Sequence, residues 1–172
     1  MNQLTGLAPV SHPDARVLLL GSMPGAASLA QQQYYGHPRN HFWPMMAELF
    51  GFDVGLPYPE RLVALQRSKV ALWDVLQHCE RKGSLDSAIR NEIPNDFAGF
   101  IQNHPQLQLI AFNGKKAEAS FRQLVLPKVM LPKACSLLVL PSSSPANAGI
   151  SRQARLQAWS QLAEQLQKRK NS

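Results

Sequence analysis

Four short apolar runs constrain this sequence more than any other feature: Arg16-Val-Leu-Leu-Leu-Gly21, Val70-Ala-Leu-Trp-Asp74, Leu107–Phe112 and Ser136–Leu140. Continuous runs of this length suit strands buried on both faces, as in a parallel sheet covered on both sides. Helical spacing fills the gaps between them. Phe42, Met46, Leu49 and Phe50 share one face of a segment with Pro44 in its first turn and Gly51 as its stop. A helix is expected near Pro59–Gln66. Asp96 should cap another that turns Phe97, Phe100 and Ile101 inward and ends before Pro105. Ala117, Phe121 and Leu124 line a further helix, and Ser151–Lys168 reads as one closing helix striped with Leu156, Trp159, Ala163 and Leu166. Residues 79–95 are polar and read as looped or irregular. The pattern predicts an α/β fold: a three-layer α/β/α domain on a mostly parallel four-stranded central sheet, one domain over residues 1–172.

Several classes are excluded at once. With 172 residues and 45% hydrophobic side chains the chain can bury a real core. No apolar run approaches the roughly 20 residues of a membrane span. Met1–Pro9 lacks the basic and apolar stretches of an export signal, so a reducing, cytoplasmic setting is expected. Cys79 and Cys135 are too few for a disulfide framework or a four-thiolate metal site. The five histidines, His12, His37, His41, His78 and His104, show no metal-ligand spacing. Neither a metal nor a cofactor is expected.

Charge is distributed unevenly. Residues 1–86 carry seven basic and seven acidic side chains, whereas residues 87–172 carry eleven basic and four acidic ones. A one-sided excess suits a polyanion, although a basic balance also serves solubility.

In sheets of this kind ligands bind outside the carboxyl ends of the strands. The unusual segments fall there: Gly21–Gly25, Asp74, Asn113–Lys116 and Pro141–Gly149. Gly21-Ser22-Met23-Pro24-Gly25 lacks the Lys-Ser/Thr of a P-loop, the third glycine of a dinucleotide fingerprint and the elbow of a serine hydrolase. It is either a phosphate-binding turn or an ordinary tight turn. Tyr34–Trp43 interleaves aromatics with Arg39 and His37, which suits stacking on bases beside a phosphate; alternatively Phe42 and Trp43 are core. Asn113-Gly114-Lys115-Lys116 opens a helix and could hold an anion, or its lysines are merely solvated. Ser142, Ser143 and Ser144 lie between prolines, placed to grip phosphates or to form a plain surface loop.

Taken in order, these segments resemble the uracil-DNA glycosylase superfamily, and within it the hypoxanthine-DNA (deoxyinosine) glycosylase branch. The resemblance runs from Val17 to Gly149. The first family motif, a strand followed by Gly-x-x-Pro-Gly, matches Gly21–Gly25. An aromatic-x-His-Pro-x-Asn-x-Phe-Trp segment matches Tyr35–Trp43. The phosphate loop matches Asn113–Lys116, and the second motif, which enters the minor groove, matches Pro141–Asn147.

The departures carry mechanism. Related branches place Asp or Asn where Met23 stands, and a methionine cannot deprotonate water. Second-motif residues that steady a uracil are replaced by serines around Ser142. The resemblance assigns the catalytic role to Asn40, with His37 as a candidate proton source. The alternative readings make Asn40 a helix cap and His37 a loop support. Tyr35 is implied to stack on the extruded base. Asp74, at the end of the second strand, would accept N1–H of hypoxanthine or be a buried structural carboxylate. Ser22, Met23, Phe42 and Asn113 complete the expected base pocket. DNA contacts are expected from Pro24, Gly25, Arg39, Gly114, Lys115, Lys116, Ser142, Ser143, Ser144, Pro145 and Asn147.

The implied reaction is hydrolytic removal of a deaminated base from double- or single-stranded DNA after base extrusion, leaving an abasic site for base excision repair. No lysine matches a Schiff-base nucleophile, so no strand cleavage is expected. The enzyme should act as a monomer, without membrane association. A uracil- or mismatch-directed glycosylase, a catalytically silent DNA-binding module and a Ser22 hydrolase are the rival readings.

Overall fold

The computed structural model describes residues 2–170; Met1, Asn171 and Ser172, which the expected domain includes, lie outside the described residues. Strands β1 (Gln3–Thr5), β2 (Val17–Gly21), β3 (Val70–Asp74), β4 (Leu76–Glu80), β5 (Arg90–Pro94), β6 (Leu109–Asn113) and β7 (Ser136–Leu140) alternate with helices. The helices are α1 (Ala26–Gln31), α2 (Phe42–Phe50), α3 (Tyr58–Arg67), α4 (Phe97–Asn103), α5 (Lys115–Leu124), α6 (Arg152–Trp159) and α7 (Gln161–Lys170). The expected four strands form one sheet in the order β3-β2-β6-β7, every neighbouring pair parallel.

Alternation along these strands divides the core. Leu18, Leu20, Ala71, Trp73, Ile110 and Phe112 face Phe97, Phe100 and Phe121 on one side of the sheet. Val17, Leu19, Leu72, Leu109 and Ala111 face Phe42, Trp43, Met46, Leu65 and Trp159 on the other. Burying both faces makes the three layers. The free edge of β3 is covered by Val10, which exchanges both backbone hydrogen bonds with Leu72 at 2.9 Å.

Two expectations fail. Residues 79–95 are not merely loop: β4 and β5 pair antiparallel, and β1 adds to β4, making a second three-stranded sheet. Register shifts interrupt the β4–β5 pairing, so the two-residue alternation that marks a strand is broken. The closing helix is also divided. Ser151 caps α6 by accepting the Ala154 N–H at 3.1 Å, but the chain breaks at Ser160, whose hydroxyl donates back to the Gln157 carbonyl at 2.6 Å. Asp96 caps α4 as expected, accepting the Gly99 N–H at 3.1 Å.

Candidate active site

The carboxyl ends of β2, β3, β6 and β7 open into one cleft of about 1180 Å³. This exceeds the roughly 300–1,000 Å³ of ordinary small-molecule pockets, as a groove admitting a nucleotide still joined to its strand would. The first-motif residues Ser22, Met23, Pro24 and Gly25 line it, as do Tyr35, His37 and Asn40. Asp74 and Asn113 come from the strand ends, Gly114, Lys115 and Lys116 from the start of α5, and Ser142, Ser143, Ser144, Pro145 and Asn147 from the loop after β7.

The floor is built by a close approach. A Cβ on Gly21 would stand 2.5 Å from Asp74 Oδ1 and 3.3 Å from the Tyr35 hydroxyl, so glycine is what lets both groups reach the same point. Asp74 Oδ2 and the Tyr35 hydroxyl are buried without hydrogen-bond partners among the described residues. Asn113 lies alongside the hydroxyl without completing a bond of good geometry to it. Burial, reinforced by the nearby Asp86 and opposed by Arg81, pushes the Asp74 carboxyl up to about 7. Burial and the neighbouring Asp74 hold the Tyr35 hydroxyl far above the ordinary tyrosine range, so it keeps its proton. Tyr35 also has a positive φ of 55°, a strained conformation for a residue other than glycine.

The Tyr35–Trp43 segment does two jobs. Asn40 Oδ1 accepts the Phe42 N–H at 2.9 Å, and its amide hydrogens have no partner among the described residues. His37 Nδ1 accepts the Arg39 N–H at 3.1 Å, which puts the ring proton on Nε2. Trp43 is core: it is buried and donates Nε1–H to the Tyr34 carbonyl at 2.9 Å.

Phe42 departs from the expected base pocket, and other expected site residues are engaged by protein groups. Phe42 does not line the cleft; it is fully buried behind Tyr35, ring centroids 3.9 Å apart, and supports that ring from below. Ser143 is buried: its N–H donates to Asn113 Oδ1 at 2.8 Å, and its Oγ accepts from Asn113 Nδ2 at 2.9 Å. The Ser143–Asn113 pair locks β6 to the second-motif loop, and the Ser143 O–H remains a donor at the cleft lining. Lys116 reaches the cleft, but its amine is paired with Glu92 of β5 at 2.9 Å. Arg39 stands exposed outside the cleft lining, where only a flanking phosphate could meet it.

Gly114 earns its place twice. Its φ is 95°, and a Cβ there would meet Ser142 Cβ at 3.3 Å.

Residues that build the site and escaped sequence reading are distant in the chain. Arg155 is buried and donates to the Ser142 carbonyl at 3.1 Å and the Asn147 carbonyl at 2.6 Å, so it straps the second-motif loop. Trp159 adds a bond to the Pro141 carbonyl at 2.8 Å. Arg81, also buried, donates to the Pro24 carbonyl at 2.6 Å and the Gly83 carbonyl at 2.9 Å, tying the first-motif turn to the β4–β5 loop. That loop brings Ser84, Leu85, Asp86 and Ser87 to the cleft rim. The basic excess is thus partly structural. Arg155 and Lys116 are engaged by protein groups, Lys115 stands exposed at the rim, and the side chains of Arg169 and Lys170 lie outside the described residues. Among the described residues no three His, Cys, Asp or Glu side chains group to hold a metal ion. No helix there is long and apolar enough to cross a membrane.

A cleft with an acid and a phenol at its floor, set between a Gly-Ser-Met-Pro-Gly turn and a serine-proline loop on a parallel sheet, defines a class. The profile of the uracil DNA glycosylase superfamily matches residues 8–166, and the chain belongs to that superfamily of DNA N-glycosylases. It is 38% identical to a hypoxanthine DNA glycosylase of Methanosarcina acetivorans over 148 residues, 86% of this chain and 90% of that one. It is 42% identical to a hypoxanthine DNA glycosylase of Methanosarcina barkeri over 113 residues, 65% of this chain and 72% of its relative. A solution NMR structure from Methanosarcina acetivorans, described as a candidate uracil DNA glycosylase, superposes with a TM-score of 0.82. That match is at 35% identity and covers 96% of this chain and 99% of the other. The α/β/α fold and the glycosylase class expected from the motifs are therefore correct.

Proposed function

We propose that the base removed is hypoxanthine, from deoxyinosine. The observation that carries this is the unpartnered pair at the cleft floor, one acceptor and one obligate donor. Hypoxanthine presents N1–H and O6 side by side; Asp74 Oδ2 accepts the first and the Tyr35 hydroxyl donates to the second. Tyr35 contributes its hydroxyl to reading the base edge, and Phe42 backs the ring on its α2 side. Adenine offers an acceptor at N1 and is disfavoured by Asp74 once that carboxyl ionises, above about pH 7. Uracil carries a similar lactam edge and is the natural competitor.

Cleavage of the N-glycosidic bond puts negative charge on the departing base and positive charge on the sugar. Donors aimed at the base oppose the first. The Asn40 amide hydrogens hold a water or the base, and His37 Nε2–H faces outward as a further donor. Lys115, Gly25, Gly114 and the Ser142–Asn147 loop take the strand's phosphates. The enzyme works as a cytoplasmic monomer on duplex or single-stranded DNA, and its affinity falls steeply with salt.

Single-turnover excision from a duplex with one deoxyinosine, beside a deoxyuridine duplex, tests this. Wild type should form abasic sites mainly from deoxyinosine, and Asn40→Ala should lose that activity while keeping DNA binding. Excision mainly of uracil would transfer the assignment to that base.

A further inference from the structure

Met23 leaves the reaction without a base where related branches place one, and the two expected catalytic groups do not fill the gap. An amide such as Asn40 is no base, and His37 Nδ1 already accepts the Arg39 N–H, which leaves its Nε2–H as a donor. A carboxylate reaches the same mouth from another part of the chain. Asp86 begins the short 3-10 turn Asp86–Ala88 between β4 and β5 and lines the cleft. Its Oδ1 accepts the Ser22 hydroxyl at 2.6 Å, directly beside Met23 in the first-motif turn.

Hydrogen bonds set the placement. Arg81 ties the start of this loop to Pro24, and Ser84 Oγ accepts the Ala26 N–H at 2.9 Å, so the loop is bonded to the first-motif turn and to the start of α1. Asp86 Oδ2 accepts nothing from the described residues. Deeper in the same cleft, Asp74 is buried, and its Oδ2 has no hydrogen-bond partner among the described residues. The two carboxyls thus occupy contrasting environments, one at the dry floor and one at the wet mouth, an arrangement that separates their roles.

We propose that Asp86, oriented by Ser22, is the general base that activates the hydrolytic water and offsets charge on the sugar. This rests on the glycosylase reading above. As the C1′–N9 bond breaks, its electron pair leaves with the base. The water oxygen forms the new bond to C1′ and passes one proton to Asp86 Oδ2. A proton from solvent neutralises the departing base, and Asp86 returns its own to solvent, so one water is consumed per base released. Ser22 is a positioning residue, holding one carboxylate oxygen so that the other faces the water.

The test is single-turnover excision from a deoxyinosine duplex by wild type, Asp86→Asn, Asp86→Ala and Ser22→Ala, with affinity measured on a duplex carrying non-cleavable 2′-fluoro-deoxyinosine. Asp86→Asn keeps the acceptor for Ser22 and should fold normally. Its rate constant should fall about 100-fold or more with affinity nearly unchanged. Added formate should restore part of the rate of Asp86→Ala and none of the rate of Asn40→Ala, a response a structural role would not give. Ser22→Ala should lose less, about 10-fold. A rate for Asp86→Asn within about threefold of wild type overturns the proposal. So does a loss of rate that tracks a loss of affinity and ignores formate. No excision by wild type would refute the substrate reading, and this proposal with it; excision that Asp86→Asn retains refutes this proposal alone.

Discussion

Asp74 lies wholly buried at the end of β3, and its carboxyl holds its proton to about pH 7 because burial disfavours the charge. An unfolded chain gives up that proton near pH 3.9. Between these values the folded state binds more protons than the unfolded state, so stability falls as pH rises and the loss is complete above the folded value. At about 1.4 kcal/mol per pH unit, the site costs on the order of 4 kcal/mol at neutral to alkaline pH. Asp74→Asn removes the titration while keeping size and an acceptor, and the Asn95 bond to the Asp74 carbonyl at 2.8 Å is untouched. Urea unfolding of both proteins at about pH 5 and pH 8 isolates the effect, since every other group titrates in both. Wild type should lose about 3 kcal/mol more than the variant over that interval, while the variant loses excision activity. Parallel pH–stability curves would refute the reasoning, because the carboxyl would then be neither buried nor strained by its charge.

Other consequences are equally direct. Gly21→Ala puts a methyl group 2.5 Å from Asp74 Oδ1; it should cost about 1–3 kcal/mol in thermal or urea unfolding and abolish excision. Arg155→Ala frees the carbonyls of Ser142 and Asn147; it should lower stability by about 1–3 kcal/mol and weaken DNA binding although the side chain is buried away from DNA. Lys115→Ala should reduce the slope of log affinity against log salt by about 0.9 with stability unchanged, read by fluorescence anisotropy at several salt concentrations.

The central sheet was legible because its strands are short continuous apolar runs: Val70–Asp74 and Ser136–Leu140 match the observed strands residue for residue, and Arg16–Gly21 starts one residue ahead of β2. The second sheet was not, because Leu76–Glu80 and Arg90–Pro94 are half polar and their pairing is interrupted by register shifts. For the site, local motifs located the loops and most cleft-lining residues. They could not tell Phe42, stacked behind Tyr35, from a residue facing the base, because helix periodicity records burial and not what lies in front. Nor could they show Ser143 closed on Asn113, thirty positions away, or Asp86 bonded to Ser22 across sixty-four. Such partners meet only when the chain folds, and a single sequence carries no signal of the pairing.

The most direct measurement is the yield of abasic sites from three duplexes that differ at one position, carrying deoxyinosine, deoxyuridine or deoxyadenosine, with excess enzyme and the released base identified by mass. The floor of Asp74 and Tyr35 predicts free hypoxanthine from the first, less product from the second and none from the third. Equal release of adenine and hypoxanthine, or release of neither, would contradict it.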